Sequence, residues 1–241
     1  MTRNKTWRPA PRTMALLNEP SEDSIGTGII PICGSARSGK TTLALALIEW
    51  ASKKTSRSFA FIGLPDIYLE NLPQHIRKRS TNPSLDELST LRDCIVLLDD
   101  TATSLSSRDS TTTQGKMISR IAGVISHLGL TIILTTQSMA GVDLSLLRYT
   151  EMSPLVKRID PMALRVERTE WSSELKEAQA ELKIHNFDRS LYWSVSDEIM
   201  CKHPFSEWMS NDVLSRPFRY LEQPELDGMI HGSKAKKGAK K

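Results

Sequence analysis

The sequence has few cysteines and no long hydrophobic run. Its 241 residues include Cys33, Cys94 and Cys201, an odd number with no CxxC pair, so neither a disulfide framework nor a cysteine-based zinc site is expected. No apolar stretch approaches the roughly 20 residues that a membrane-spanning helix needs, and the basic N-terminus lacks the apolar run of a signal peptide. We therefore expect a protein without a membrane span that stays where it is made.

Positive charge is concentrated at the two ends of the chain. Residues 1–13 and 233–241 contain nine of the 32 lysines and arginines and no acid, so the rest of the chain has 23 basic against 28 acidic residues. We expect a basic, flexible arm over residues 1–22, one domain over residues 23–222 and a flexible Lys-rich tail over residues 223–241. Basic arms can attract a phosphate backbone without reading its sequence, although they are equally consistent with tails that only add solubility.

The body alternates short apolar runs with helical patterns. The predicted strands are residues 28–33, 59–64, 94–98, 130–135, 163–168 and 190–195, and the predicted helices are residues 41–52, 117–128 and 173–183. Pro31 removes a hydrogen-bond donor from the first strand, which predicts an edge or bulged position there. Continuous apolar strands between helices are typical of an α/β fold with a mainly parallel central sheet that is flanked by helices and buried on both faces.

A glycine-rich loop follows the first predicted strand. Residues 34–41 read GSARSGKT and match the phosphate-binding pattern GxxxxGK[ST] at every defined position. Its glycines let successive N–H groups face an anion, and the dipole of the following helix adds positive potential. Lys40 is expected to reach the β- and γ-phosphates, and the Thr41 hydroxyl to bind Mg²⁺. The predicted nucleotide-binding residues are Gly34, Ser35, Ala36, Arg37, Ser38, Gly39, Lys40, Thr41 and Thr42.

Polar residues also follow two later strands. Asp99 and Asp100 come directly after an apolar strand, where Asp99 is expected to hold Mg²⁺ and Asp100 to polarise the attacking water. Gln137 ends the next strand, and in a parallel sheet of this order it would lie beside Asp99, where an amide can bind both the γ-phosphate and that water. Each feature alone is more often a turn or a helix cap. Beside a phosphate-binding loop, they predict a site that hydrolyses nucleoside triphosphates.

Together, residues 34–41, 95–100 and 132–137 resemble the three signatures of the FtsK–HerA superfamily of hexameric DNA-pumping ATPases. The small size and the ending HPFSEWMSNDVLSR look most similar to the genome-packaging ATPases of tailless, membrane-containing icosahedral viruses and their archaeal and plasmid relatives. This resemblance implies a RecA-like P-loop fold, ATP and Mg²⁺ as cofactors, and a homo-oligomeric ring, expected to be a hexamer. It also implies non-sequence-specific binding of double-stranded DNA, a capsid vertex or portal protein as partner, and a location in the host cytoplasm or at the virion vertex.

Two positions depart from the pattern of that superfamily. Its members usually have Glu after the metal-binding Asp, whereas Asp100 stands here, which affects the expected hydrolysis rate more than the expected binding. They also tend to have a trans-acting arginine before the last motif strand, where this sequence has Ser126 and His127. Such an arginine stabilises the negative charge of the transition state in a neighbouring subunit. Arg148 is the preferred substitute, because it follows the last motif strand on a segment expected to reach the subunit boundary, and Arg120 is the alternative.

The sequence therefore predicts an ATP-hydrolysing DNA translocase that packages double-stranded DNA into a viral capsid. The alternatives among motors are a plasmid or conjugative DNA-transfer ATPase and a phage-assembly ATPase. Outside motors, a P-loop kinase would need an arginine-rich lid, for which the chain offers only Arg77, Lys78 and Arg79 after the second strand. A non-hydrolysing nucleotide switch would share the binding loop, so only turnover separates it from a motor.

Overall fold

A computed structural model describes residues 7–21, 25–62, 64–99, 123–139, 151–167 and 169–215, and in these residues the chain builds one open sheet. The strands are β1 (Gly28–Cys33), β2 (Ser58–Ile62), β3 (Ser80–Thr81), β4 (Cys94–Leu98), β5 (Thr131–Thr136), β6 (Leu155–Val156), β7 (Leu191–Ser194) and β8 (Ile199–Lys202). Their order across the sheet is β3-β2-β4-β5-β1-β6-β7-β8. The first six strands pair in parallel, and β7 and β8 form an antiparallel hairpin beside β6.

Helices flank this sheet. They are α1 (Pro11–Leu17), α2 (Lys40–Lys54), α3 (Asp66–Glu70), α4 (Gln74–Arg77), α5 (Ile125–Leu128), α6 (Pro161–Leu164), α7 (Ser172–Ile184) and α8 (Asp212–Ser215), with short 3₁₀ helices at Leu85–Thr90, Thr169–Trp171 and Glu207–Ser210. Every residue of β1, β4 and β5 is buried. The predicted α/β class with a mainly parallel sheet is therefore confirmed, because only strands covered on both faces can be apolar throughout.

Two local predictions are wrong. Pro31 lies in a central strand, paired with Leu134, and not at an edge. Proline has no N–H to donate to the segment before β6. Pro31 lies between the Ile29–Met152 bridge and the Ile32–Leu155 pair, where β1 and that segment are not paired. The second wrong prediction is the strand over residues 163–168, since residues 161–164 form α6.

The start of α6 explains that second error. The Asp160 side chain accepts a hydrogen bond from the Met162 N–H at 2.8 Å, and Pro161 occupies the first helical turn. An Asp-Pro pair at this place is a helix start signal. The signal outweighs the alternating pattern of the few residues that follow it.

The N-terminal segment packs on the sheet. The sequence predicts a flexible arm over residues 1–22, but α1 buries Leu16 and Leu17 completely in the main hydrophobic core. The Thr13 and Ser153 hydroxyls are hydrogen bonded at 2.8 Å, and the Ala10 N–H donates to the Tyr192 hydroxyl at 3.3 Å. Residues 11–17 are therefore part of the folded body. The predicted tail over residues 223–241 lies outside the described residues.

The strand order brings three chain segments together. β5 lies between β1 and β4, with Gly28–Cys33 in register with Thr131–Thr136 and Ile95–Leu98 with Thr131–Leu134. Parallel strands end at the same edge of a sheet, so the residues after these three strands are neighbours there. Within the part of the chain that is described, no helix is long and apolar enough to cross a membrane.

Candidate functional site

The loop between β1 and α2 forms a hollow that is held from both sides. The Gly34 N–H donates to the Thr136 carbonyl at 3.1 Å, and the Ser35 N–H donates to the Arg158 carbonyl at 2.8 Å. A side chain at Gly34 would meet the Ser38 hydroxyl at 2.7 Å, and Gly39 has a φ of 94°, a left-handed conformation that favours glycine. Glycine is thus required at position 34 by the close approach of Ser38, and at position 39 by the left-handed backbone conformation.

The groups that face this hollow suit an anion. The N-cap residue of the 15-residue helix α2 is Gly39, which has no side chain to cap the helix, so the first N–H groups and the dipole of α2 are available to a phosphate. The buried Ser38 hydroxyl has no hydrogen-bond partner among the described residues. Lys40 is also buried, and its ammonium group donates to the Ser35 carbonyl at 3.2 Å, which keeps the positive charge over the loop. The loop therefore offers N–H, O–H and ammonium donors at one place.

A cluster of hydroxyl and carboxylate oxygens lies beside the loop. The Thr41 hydroxyl is 3.0 Å and 3.2 Å from the two carboxylate oxygens of Asp99, and the Thr135 hydroxyl donates to Asp99 at 2.5 Å. Asp99 is only 6% exposed. Hard oxygen ligands of this kind are those that Mg²⁺ prefers. The predicted pair of Thr41 and Asp99 thus comes together in a form that fits the ion, and Thr135 is a member that the sequence did not indicate.

The remaining predicted site residues have different outcomes. Gln137 directly follows β5, and its carbonyl oxygen is 4.0 Å from the Cys33 sulfur at the end of β1, so it lies at the predicted edge beside the loop. Its role as a γ-phosphate sensor stays a prediction. Asp100 and Arg148 lie outside the described residues, as does Arg120.

A buried lysine supports the loop from the other side, and no sequence pattern indicated it. The Lys157 ammonium group donates to the carbonyls of Arg189 and Leu191 at 2.5 Å and 2.8 Å and lies 3.2 Å from Nε2 of His203. Burial lowers the pKa of Lys157 to about 7. A side chain at Gly39 would lie 3.6 Å from this ammonium group, and the Lys157 N–H donates to the Cys33 carbonyl at 2.8 Å, so Lys157 lies between the β7 segment and the phosphate loop.

His203 is neutral at physiological pH. Burial, followed by the nearby charge of Lys157, lowers its pKa from 6.5 to about 4. Nδ1 is 2.9 Å from the Pro204 carbonyl oxygen, and Nε2 is 3.2 Å from the Arg189 carbonyl oxygen, which already accepts a hydrogen bond from Lys157. A neutral ring with its proton on Nδ1 gives the Pro204 carbonyl a donor as well. Nε2 is then the acceptor for Lys157.

The low pKa of His203 predicts a pH dependence of stability. The unfolded chain binds a proton at this histidine below pH 6.5, whereas the folded chain does so only near pH 4, so folding becomes less favourable as the pH falls through this window. One such residue corresponds to a loss of about 3 kcal/mol between these limits. Chemical denaturation at several pH values should show a shallower decline for His203→Gln than for the wild type.

The matched control for this prediction is His185→Gln, which changes an exposed histidine at the end of α7. It should leave the wild-type pH profile in place. Parallel profiles for His203→Gln and the wild type would contradict the prediction.

Comparison with known proteins identifies one matching family. A model of the ATPase family associated with various cellular activities (AAA) matches residues 30–158, more than half of the chain and the part that contains the loop, Asp99 and Gln137. No curated protein matches the sequence.

Solved structures with a similar fold include the two that follow. One is described as the genome packaging NTPase B204 from Sulfolobus turreted icosahedral virus 2 in complex with ATP-gammaS, with a TM-score of 0.50 at 16% identity over 75% of this chain and 99% of that chain. The other is Thermomonospora curvata EccC (ATPases 2 and 3) in complex with a signal sequence peptide, with a TM-score of 0.53 at 13% identity over 77% of this chain and 40% of that chain. At such identities the likeness shows the fold, and membership of the FtsK–HerA superfamily stays a prediction.

Proposed function

Since the chain belongs to the ATPase family associated with various cellular activities, we propose that it is an Mg²⁺-dependent ATPase that moves double-stranded DNA into a viral capsid. One observation carries the ATPase part of this proposal. The ends of three adjacent parallel strands bring the phosphate loop, the Thr41–Asp99–Thr135 cluster and Gln137 to one edge of the sheet. Phosphoryl transfer depends mainly on positioning and on charge neutralisation, and these residues supply both.

Each residue has a role in ATP hydrolysis that follows from its chemistry. The loop N–H groups, the Ser38 hydroxyl and Lys40 bind phosphate oxygens and stabilise the negative charge that develops on them. Thr41 and Asp99 are the residues that would hold Mg²⁺, which supplies further charge neutralisation when it is bound. Gln137 orients the attacking water with its amide, and Asp100 accepts a proton from that water.

The choice of DNA as the cargo has two supports. The chain ends are basic while the body is acidic, and basic segments bind phosphate backbones without reading sequence. The fold is also that of a protein described as a genome packaging NTPase. We propose in addition a ring, with six subunits expected, in which Arg148 of one subunit completes the site of the next and a capsid vertex or portal protein receives the ring.

The test of this proposal is the steady-state ATPase rate of the full chain over a range of protein concentrations, with and without double-stranded DNA. Turnover per subunit should rise with concentration, because a ring forms by mass action, and should rise again when DNA is added. Lys40→Ala serves as the inactive reference. ATP turnover that is indifferent to both DNA and concentration would contradict the motor and favour a different ATP-dependent function.

The trans role of Arg148 is tested in the same assay by mixing two inactive variants. Arg148→Ala has an intact phosphate loop but cannot complete a neighbour, whereas Lys40→Ala has the arginine but cannot use ATP. A mixture should recover activity that neither variant has alone. Arg165→Ala, which changes an exposed arginine after α6, is the matched control and should behave as the wild type. A mixture without recovered activity would overturn the trans role.

A further inference from the structure

A cleft extends from the phosphate loop to the segment that follows β8. One cavity of about 410 Å³ lies between the start of α2 and residues 203–210, and an adjoining cavity of about 370 Å³ reaches Lys40 and Thr41. The two cavities share four lining residues, which are Gly39, Thr42, Arg189 and Met209. A molecule whose phosphates are bound at the loop would therefore place its other end in the larger cavity.

The walls of this cleft are fixed in position. The Arg189 main chain is held by Lys157, and the neighbouring Ser206 hydroxyl donates to Glu49 of α2 at 2.7 Å. Met209 is buried and forms part of the floor. Phe205, in contrast, is 61% exposed although its ring lines the cavity. Its aromatic face is therefore available to a planar group that enters the cavity.

Most of the neutral polar side chains that line the larger cavity are already hydrogen bonded to other described residues, and the Thr42 hydroxyl is the exception. The Ser190 hydroxyl donates to Asp188 at 2.8 Å, the Ser210 hydroxyl donates to the Glu207 carbonyl at 2.5 Å, and the His203 ring is used by Pro204 and Lys157. No Asp or Glu lines the larger cavity in the described part of the chain. Few side-chain groups therefore remain to form hydrogen bonds with the edge of a ligand. The planar groups of Arg189 and Phe205 remain to pack against its face.

We propose that this cleft is a nucleobase site in which the Arg189 guanidinium and the Phe205 ring stack on an adenine or guanine base, while its edge is left largely unread. This inference rests on the proposed function, because the same nucleotide has its phosphates on the loop. Stacking on aromatic and guanidinium planes is tolerant of base identity, since every base has a π face. The site should therefore bind a nucleoside triphosphate much more tightly than inorganic triphosphate, and it should bind ATP and GTP with similar affinity.

The test is calorimetric titration of the full chain in magnesium buffer with three probes, namely ATP, GTP and inorganic triphosphate. Wild-type affinities for ATP and GTP should agree within about 3-fold. Phe205→Ala and Arg189→Ala should each weaken ATP binding about 10-fold and leave triphosphate binding unchanged. Phe205→Tyr retains the ring and should bind ATP as the wild type does. Ile184→Ala and Arg165→Ala, which change exposed side chains away from the cleft, are the matched controls.

The outcomes separate this inference from the proposed function. Lys40→Ala should weaken both ATP and triphosphate, because it acts on phosphate alone. If it does, but Phe205→Ala and Arg189→Ala bind ATP normally or lose triphosphate equally, the nucleobase site is overturned and the ATPase proposal stands. Rejection of GTP by more than about 10-fold would overturn recognition by stacking. Failure of the wild type to bind either ATP or triphosphate would overturn the proposed function, and this inference with it.

Discussion

Replacing Asp99 with asparagine is expected to reduce the ATP turnover of the protein at least about 100-fold, because it removes the charge that would hold Mg²⁺ against the phosphates. The change is nearly isosteric, and the amide oxygen can still accept the hydrogen bonds from Thr41 and Thr135. Turnover should therefore fall while the fold is retained. The measurement is the steady-state rate as a function of Mg²⁺ concentration, with the thermal unfolding midpoint as a check on folding.

Asp93→Asn is the matched control, because it makes the same chemical change at the other end of the same strand. Asp93 is exposed and has a φ of 47°, a conformation that asparagine tolerates. This variant should retain wild-type turnover. If Asp99→Asn also stays within about 3-fold of the wild type at saturating Mg²⁺, Asp99 has no role in the metal site and the roles given to the oxygen cluster are wrong.

The central sheet could be predicted because its strands are apolar along their whole length. Residues such as Ile95, Val96 and Ile132 are excluded from water on both faces, so a continuous run of them indicates a strand that helices cover. The glycine pattern of the loop is equally local, since it reflects backbone conformation and close approach. The apolar strands and the glycine-rich loop together predicted that Thr41 and Asp99 lie close to each other, because both follow strands of one parallel sheet.

The parts that could not be predicted depend on contacts between distant segments. Lys157 is one charged residue after a two-residue strand, and only the fold shows that it meets Arg189 and His203, 32 and 46 positions further along the chain. Thr135 could equally have faced away from Asp99. The helix α1 is seven residues long and has no sustained apolar period, so its stability comes from packing and not from its own sequence.

Arg57 is the strongest example of such a contact, and Arg57→Met is expected to destabilise the fold by about 3–5 kcal/mol, because several buried acceptors lose their donor. Arg57 is 3% exposed, and its guanidinium group donates to the carbonyls of Asn18, Cys94 and Gly129 and to the Thr131 hydroxyl. It thereby joins the end of α1 to the starts of β4 and β5. Burial lowers the pKa of Arg57 to about 10, so the group is still charged at neutral pH. Its removal leaves several buried carbonyls without a donor, and each such group costs about 1–3 kcal/mol.

The free energy of unfolding from urea titration at neutral pH measures this effect. Arg57→Lys keeps the charge but presents one ammonium group where Arg57 presents two nitrogens in a planar fork, so it should also lose stability, although less than methionine does. Arg92→Met is the matched control at the same end of the sheet, where Arg92 is exposed and donates to the nearby Ser89 and Leu91 carbonyls. That control should stay within about 0.5 kcal/mol of the wild type. A loss below about 1 kcal/mol for Arg57→Met would mean that the carbonyls find other donors, and that α1 is joined to the sheet by its apolar side chains alone.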